Sequence, residues 1–296
     1  MIKLNTNKIL VPVDFSETAN RAVHHAAFIA QLSKGQLILV NVQKKSELLD
    51  VILPAIRLNN ISVITDYIEE KLEGIASEIK SKYGIRVSTI VSTGNITSEI
   101  INLAEEKRVD LIVMGTQGKD STNDLFMGSN TYRTISKSSV PVMTVRTAVS
   151  KKGYSTILLP IDTSPHSRQK VKPTISFADR FASKLHVFCM LKPSEEDATY
   201  KMKVIISQIE KLAAQKNISV SSEIQITNNP AKSTLECAKK RKSDLIITMT
   251  DQNSGISGLL LGTFVHQLLN EAGIPVLAMP PLREEDTIPN SLGGLF

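Results

Sequence analysis

Most of the positions able to do chemistry fall between residues 114 and 131. Met114 is followed by Gly115-Thr116-Gln117-Gly118 and, after nine intervening residues, by Gly128-Ser129-Asn130-Thr131. Glycine lets backbone N–H groups close around an oxyanion, because it admits positive φ and puts no Cβ in the way. A helix that opens at Gly128-Ser129 presents unpaired N–H groups at its positive end, where phosphate is stabilised, and Ser129 adds a hydroxyl donor. The chemistry implied is capture of a polyphosphate. Far upstream, Pro12-Val13-Asp14 closes the first apolar run and supplies a carboxylate. Asp14 is also placed to help cap the next helix, although Ser16 is the better-placed cap. No Gly-Lys-Ser/Thr is present, so this is not a P-loop. The dinucleotide fingerprint is excluded too, since its glycines follow the first strand. Lys119 and Asp120 read as a solvated loop.

Such a loop needs a scaffold, and the chain carries two copies of one. Ile9-Leu-Val-Pro-Val-Asp14 recurs as Ile157-Leu-Leu-Pro-Ile-Asp162, Asp110-Leu-Ile-Val as Asp244-Leu-Ile-Ile, and Val140-Pro-Val-Met143 as Ile274-Pro-Val-Leu277. The later pairs are closer in sequence than the first, so the first copy holds an insertion, placed around Lys44 to Asn60. In copy one, apolar runs at 8–13, 36–42, 85–91, 109–114 and 140–146 predict five strands separated by helical patterns, the signature of βαβ units and a parallel sheet. Ala19, Ala22, Val23, Ala26, Ala27 and Ala30 share one helical face behind a cap at Ser16, and Ser164-Pro165 gives the matching helix start in copy two. Continuous apolarity in residues 36–42 and 109–114 predicts strands covered on both faces, hence a three-layer α/β/α sandwich. The expected domains are residues 1–148 and 154–281, joined by a short polar stretch, with a tail at 282–296. In copy two, Asp162, Gly262 and Thr263 remain, but Met249 and Gln252 stand at the Gly115 and Gly118 positions, and Gly255 and Gly258 lie too near Gly262 to restore the spacing. Copy two is expected to hold the same ligand weakly or not at all.

The 296 residues suffice for two domains, and 42% hydrophobic with 22% charged residues describes a chain that buries cores. No apolar run has the ~20 residues that a bilayer span needs, and the N-terminus lacks a signal-peptide pattern, so a cytoplasmic location away from membranes is expected. The formal charge of +6 is mild, and the dense run Lys239 to Lys242 ends a helical pattern, where cations complement the dipole. Nucleic acid is therefore not an expected partner. Cys189 and Cys237 read as buried small hydrophobes, and His24, His25, His166, His186 and His266, lacking metal-ligand spacing, as surface or boundary residues.

The order Gly, two residues, Gly, nine residues, Gly-Ser after the fourth strand resembles the ATP-binding members of the universal stress protein family, matched by Gly115, Gly118, Gly128 and Ser129. Pro-Val-Asp14, Leu-Val-Asn-Val42 and the final strand Val140-Pro-Val-Met-Thr-Val are similar as well, so the resemblance covers nearly the whole chain. It implies two tandem open, five-stranded Rossmann-like sheets of the adenine nucleotide alpha hydrolase type. It further implies that Asp14 binds ribose hydroxyls, that Val13 and Val42 flank adenine with backbone contacts, and that Gly115–Gly118 and Gly128–Thr131 hold the triphosphate. Pro12, Met114, Thr116, Ser129 and Asn130 complete the implied ATP site, with Mg2+ carried on the phosphates. Final strands pair across a dimer axis in the family, which implies a pseudo-dimer within this chain, and a homodimer of whole chains is compatible with it.

The function this implies is a nucleotide-dependent regulatory protein of the stress response. Rapid hydrolysis needs a residue to orient water and charge stabilisation at the terminal phosphate, and no candidate is visible, so turnover is expected to be slow. Two alternatives remain open: an adenylyl-transfer enzyme of the same superfamily, whose Ser-Gly-Gly-x-Asp-Ser and His-x-Gly-His motifs are missing here, and a ligand-free scaffold.

Overall fold

The computed structural model describes residues 4–44, 59–116, 127–146, 153–250 and 261–281. Most of the expected insertion, the loop residues Gly118, Lys119 and Asp120, the join at 147–152, Gln252, Gly255, Gly258 and the tail at 282–296 lie outside the described residues. The chain forms two compact units, one of residues 5–149 and the other of residues 150–296 together with residues 1–4.

In the first unit the elements are β1 (Lys8–Pro12), α1 (Glu17–Ser33), β2 (Gln36–Gln43), α2 (Asn59–Tyr83), β3 (Arg86–Thr93), α3 (Ile96–Glu106), β4 (Leu111–Gly115), α4 (Ser129–Lys137) and β5 (Val142–Val145). The second has β6 (Thr156–Ile161), α5 (Pro165–Arg168), α6 (Val171–Arg180), β7 (Lys184–Leu191), a 3-10 turn (Pro193–Ala198), α7 (Thr199–Ala214), β8 (Val220–Ile226), α8 (Pro230–Arg241), β9 (Leu245–Met249), α9 (Thr263–Glu271) and β10 (Val276–Met279). Strand order is β3-β2-β1-β4-β5 in one unit and β8-β7-β6-β9-β10 in the other. Pairing within each sheet is parallel. Right-handed crossovers then distribute the helices over both faces. Consecutive residues Ile9, Leu10 and Val11 are all fully buried, as strands covered on both sides must be. Each unit is thus a three-layer, Rossmann-like α/β domain. Among the described residues, no helix is long and apolar enough to cross a membrane.

Local sequence accounts for the helix starts. The Ser16 side chain accepts from the Ala19 N–H at 3.1 Å, and the expected alanine face of α1 is buried. The helix stops where Lys34 turns left-handed at φ 53°. In the second unit Ser164 caps α5 as expected, but the helix runs only to Arg168 before restarting at Val171. Pro173 explains the break: it has no N–H to give the Gln169 carbonyl, and its ring would collide with that carbonyl in a continuous helix. Among the histidines, His25 and His186 are only 2% and 1% exposed, which corrects the expectation of surface or boundary positions.

A repeated device ties the central strands at their N-terminal ends. Asp110 Oδ2 accepts from the N–H groups of Asn7 and Lys8 at 3.0 and 2.9 Å, and the Asp110 N–H donates to the Lys8 carbonyl. Asp244 holds Thr156 in the same way, at 2.9 Å through its carboxylate and 2.8 Å through its N–H.

Candidate functional site

β1 and β4 are the switch point of the first sheet, and they stay together only briefly. Their ladder comprises Ile9 beside Leu111 and Leu10 beside Ile112, after which they part. Main-chain groups alternate sides along a strand, and the Val13 N–H donates to the Val40 carbonyl on the β2 side at 2.8 Å. Pro12 therefore faces β4 just beyond the last rung, where its missing N–H leaves no gap in the ladder. Alternation also turns Val42 to the same side as Val40, past the end of β1, so its N–H and C=O point over the crevice. Val13 differs: its N–H is bonded to Val40, and its carbonyl accepts from Asn41 Nδ2 at 2.7 Å.

Three elements converge on Gly115. A Cβ built there would lie 2.9 Å from Thr18 Oγ1 and 2.9 Å from the Thr18 carbonyl carbon, so the first turn of α1 rests directly on this glycine. From the other side, Thr131 Oγ1 of α4 donates to the Gly115 carbonyl at 3.0 Å. The next residue, Thr116, donates its N–H to the Val145 carbonyl of β5 and accepts from the Gly128 N–H at 2.7 Å. Both ends of the loop between β4 and α4 are thereby clamped, and α4 begins beside the strand end. The Thr116 hydroxyl is buried without a hydrogen-bond partner.

The N-terminus of α4 differs from those of α1 and α3. Ser16 and Asn95 cap α1 and α3 with their side chains, whereas α4 starts at Gly128 with no side-chain cap, at φ −60° and ψ 144°. Its positive end is left to whatever approaches through the crevice. Ser129 is exposed and Asn130 half-buried at this end, while Thr131 and Met114 are buried. Asp14 Oδ1 accepts from the Ser16 N–H at 3.0 Å, so its carboxylate braces the turn into α1. Between them Phe15 sits at φ 63°, 37% exposed. A left-handed phenylalanine is strained, and such strain collects at functional turns. Lys71 Nζ lies 5.7 Å from its ring centroid and 4.6 Å from that of Tyr67. Phe15 and Thr18 were not singled out in the sequence, where neither residue type nor spacing marks them.

The second unit retains the frame and alters the contents. The Thr250 N–H donates to the Met279 carbonyl at 2.8 Å, as Thr116 does to Val145, and α9 likewise starts at an uncapped glycine, Gly262. Met249, at the position of Gly115, is 4% exposed, and Val265, at that of Thr131, has no hydroxyl to tie the loop. Lys170, where copy one has Ala22, is buried with Nζ 2.8 Å from the Ser167 carbonyl.

A second cluster escaped the sequence because its members come from three elements. His186 (β7), Glu223 (β8) and Cys237 (α8) place one potential ligand atom each within 4.8 Å of one another. Glu223 also pairs with Arg241 and, at 3.6 Å, with Lys240, so these members of the basic run are engaged at the helix end.

The universal stress protein family model matches residues 5–146 and again residues 153–280. Universal stress protein MJ0577 of Methanocaldococcus jannaschii is 33% identical over 153 residues, which are 47% of this chain and 94% of the relative. Universal stress protein YxiE of Bacillus subtilis is 29% identical over 150 residues, 47% of this chain and 99% of that one. Each relative thus has the length of one copy. Among solved structures, a universal stress protein from Archaeoglobus fulgidus superposes over 93% of this chain and 99% of its own at a TM-score of 0.76 and 18% identity, a likeness of fold. With a matched family domain in each half, the chain belongs to the universal stress protein family.

Proposed function

We propose that the first unit binds ATP, with Mg2+ carried on the phosphates, and that occupancy regulates the association of this stress-family protein with its partners. The observation that carries the reading is the convergence on Gly115, which brings the uncapped end of α4 to the mouth between β1 and β4. In open α/β sheets ligands bind at such switch points. In the proposed complex the triphosphate lies across Gly115–Gly118 and Gly128–Thr131, Asp14 takes the ribose, and the main chain of Val42 meets the adenine edge. Val13 contributes apolar surface, since its own N–H and C=O are bonded to Val40 and Asn41.

The second unit serves as a structural partner in this reading. The buried Met249 stands where the first unit has Gly115, and Val265 removes the tie to the loop. A cytoplasmic location, and a homodimer of whole chains, belong to the proposal as well.

Titration calorimetry with Mg-ATP on the full chain tests it. Saturable heat at one nucleotide per chain is expected, whereas a ligand-free scaffold gives none and shows no rise in melting temperature with nucleotide. Release of pyrophosphate during incubation with ATP and carboxylic acids would instead favour an adenylyl-transfer enzyme.

A further inference from the structure

We propose that the second unit carries a divalent-metal site, suited to zinc, formed by His186 Nε2, Glu223 and Cys237 Sγ at the far edge of its sheet. These groups lie on β7, β8 and α8, away from the switch point between β6 and β9, so the site is independent of any nucleotide.

The three ligand atoms lie within 4.8 Å of one another, and His186 Nε2 is 3.9 Å from Glu223 Oε2. Zinc holds N, O and S donors at about 2.0–2.3 Å, so shifts of roughly an ångström by side chains close the cage. A second observation singles out the histidine. His186 is 1% exposed, and its Nε2 is buried without a hydrogen-bond partner. Its other nitrogen is 2.7 Å from Ser221 Oγ. With Nδ1–H donated to that hydroxyl, the ring is fixed in the tautomer that leaves the Nε2 lone pair directed at the cluster, the arrangement by which zinc-binding histidines are oriented.

The donor set selects the metal. One thiolate and one imidazole suit zinc and disfavour the all-oxygen preference of magnesium or calcium. Cys237 is a buried free thiol. As a ligand it binds as thiolate and releases its proton to solvent, so the site combines one divalent cation with two anionic ligands. Glu223 is the accessible member, with its side chain 23% exposed, and it gives the ion an entry route and room for a water as fourth ligand. Arg241 and Lys240 hold that carboxylate in place and compete for it.

The test titrates the reduced full chain with cobalt(II), which reports thiolate ligation by a charge-transfer band, followed by displacement with zinc(II). A saturable band is expected at a single equivalent per chain. It should persist in Cys189→Ser, disappear in Cys237→Ser, and saturate about tenfold or more weaker in Ser221→Ala, which removes only the partner of His186. Absence of the band in natively folded protein, its survival in Cys237→Ser, or unchanged affinity in Ser221→Ala would each overturn the site. Ser221 is exposed, so that variant decides the question if Cys237→Ser does not fold.

Discussion

Replacing Ser129 with glutamate separates folding from ligand binding at the first unit's mouth. Ser129 is the first residue of α4, it is exposed, and no side chain caps that end. A carboxylate in the first turn of a helix interacts favourably with the dipole, so the ligand-free variant should be more stable by about 0.3–1 kcal/mol. A polyphosphate arriving at the same N–H groups meets that negative charge at roughly 5 Å. With an effective dielectric between that of surface pairs and water, the repulsion is about 1–3 kcal/mol, or roughly 5- to 150-fold in Kd. Calorimetry supplies the affinity for Mg-ATP, and thermal melting without nucleotide supplies the stability. The expected pattern is opposed: a melting temperature equal to or above that of the parent, and binding weakened within that range. Equal Kd in the two proteins, with the rise in stability observed, would refute the assignment of phosphate to the start of α4. Lower stability in the absence of ligand would refute the description of that helix end.

Gly115→Ala should destabilise the folded chain by about 1–3 kcal/mol in urea unfolding, because the new methyl meets the backbone of Thr18 as well as its side chain. Loss of ATP binding in that variant would not by itself identify a ligand contact. Calorimetric stoichiometry should remain one nucleotide per chain, and purified protein should turn ATP over far more slowly than once per second; two equivalents, or many turnovers per second, would contradict the reading of the second unit or of the mouth. His24 should titrate below the usual 6.5 in NMR, since burial, followed by the charge of Lys82, disfavours its imidazolium. A depressed histidine contributes stability that is fully present above the unfolded pKa and declines as pH falls through it, so His24→Gln should flatten that part of the acid side of the stability profile.

Repetition and periodicity made much of the scaffold legible. The paired Pro-Val-Asp14 and Pro-Ile-Asp162 motifs, the cap at Ser16 and the alanine face of α1 are local or periodic signals, and the folded chain uses them as local chemistry predicts. Strand order is not written in any local signal, because no residue in one strand names its neighbour. The broken helix at Gln169 was visible in Pro173 but was passed over when the second copy was matched to the first. Gly115 is marked in the sequence by its place in the loop, whereas its contact with Thr18 depends on how α1 crosses the strand end, a tertiary fact. The cluster of His186, Glu223 and Cys237 had no spacing to find, since two strands and a helix assemble it. Phe15 was equally silent, as its left-handed backbone comes from the turn braced by Asp14.

The carboxylate clamps of Asp110 and Asp244 sit at the end of the sheet opposite the mouth. Whatever happens at the open end therefore leaves the central strands in register. The second unit, with Met249 and Val265 where the first has Gly115 and Thr131, keeps the same clamp, so the two rims differ over a common foundation.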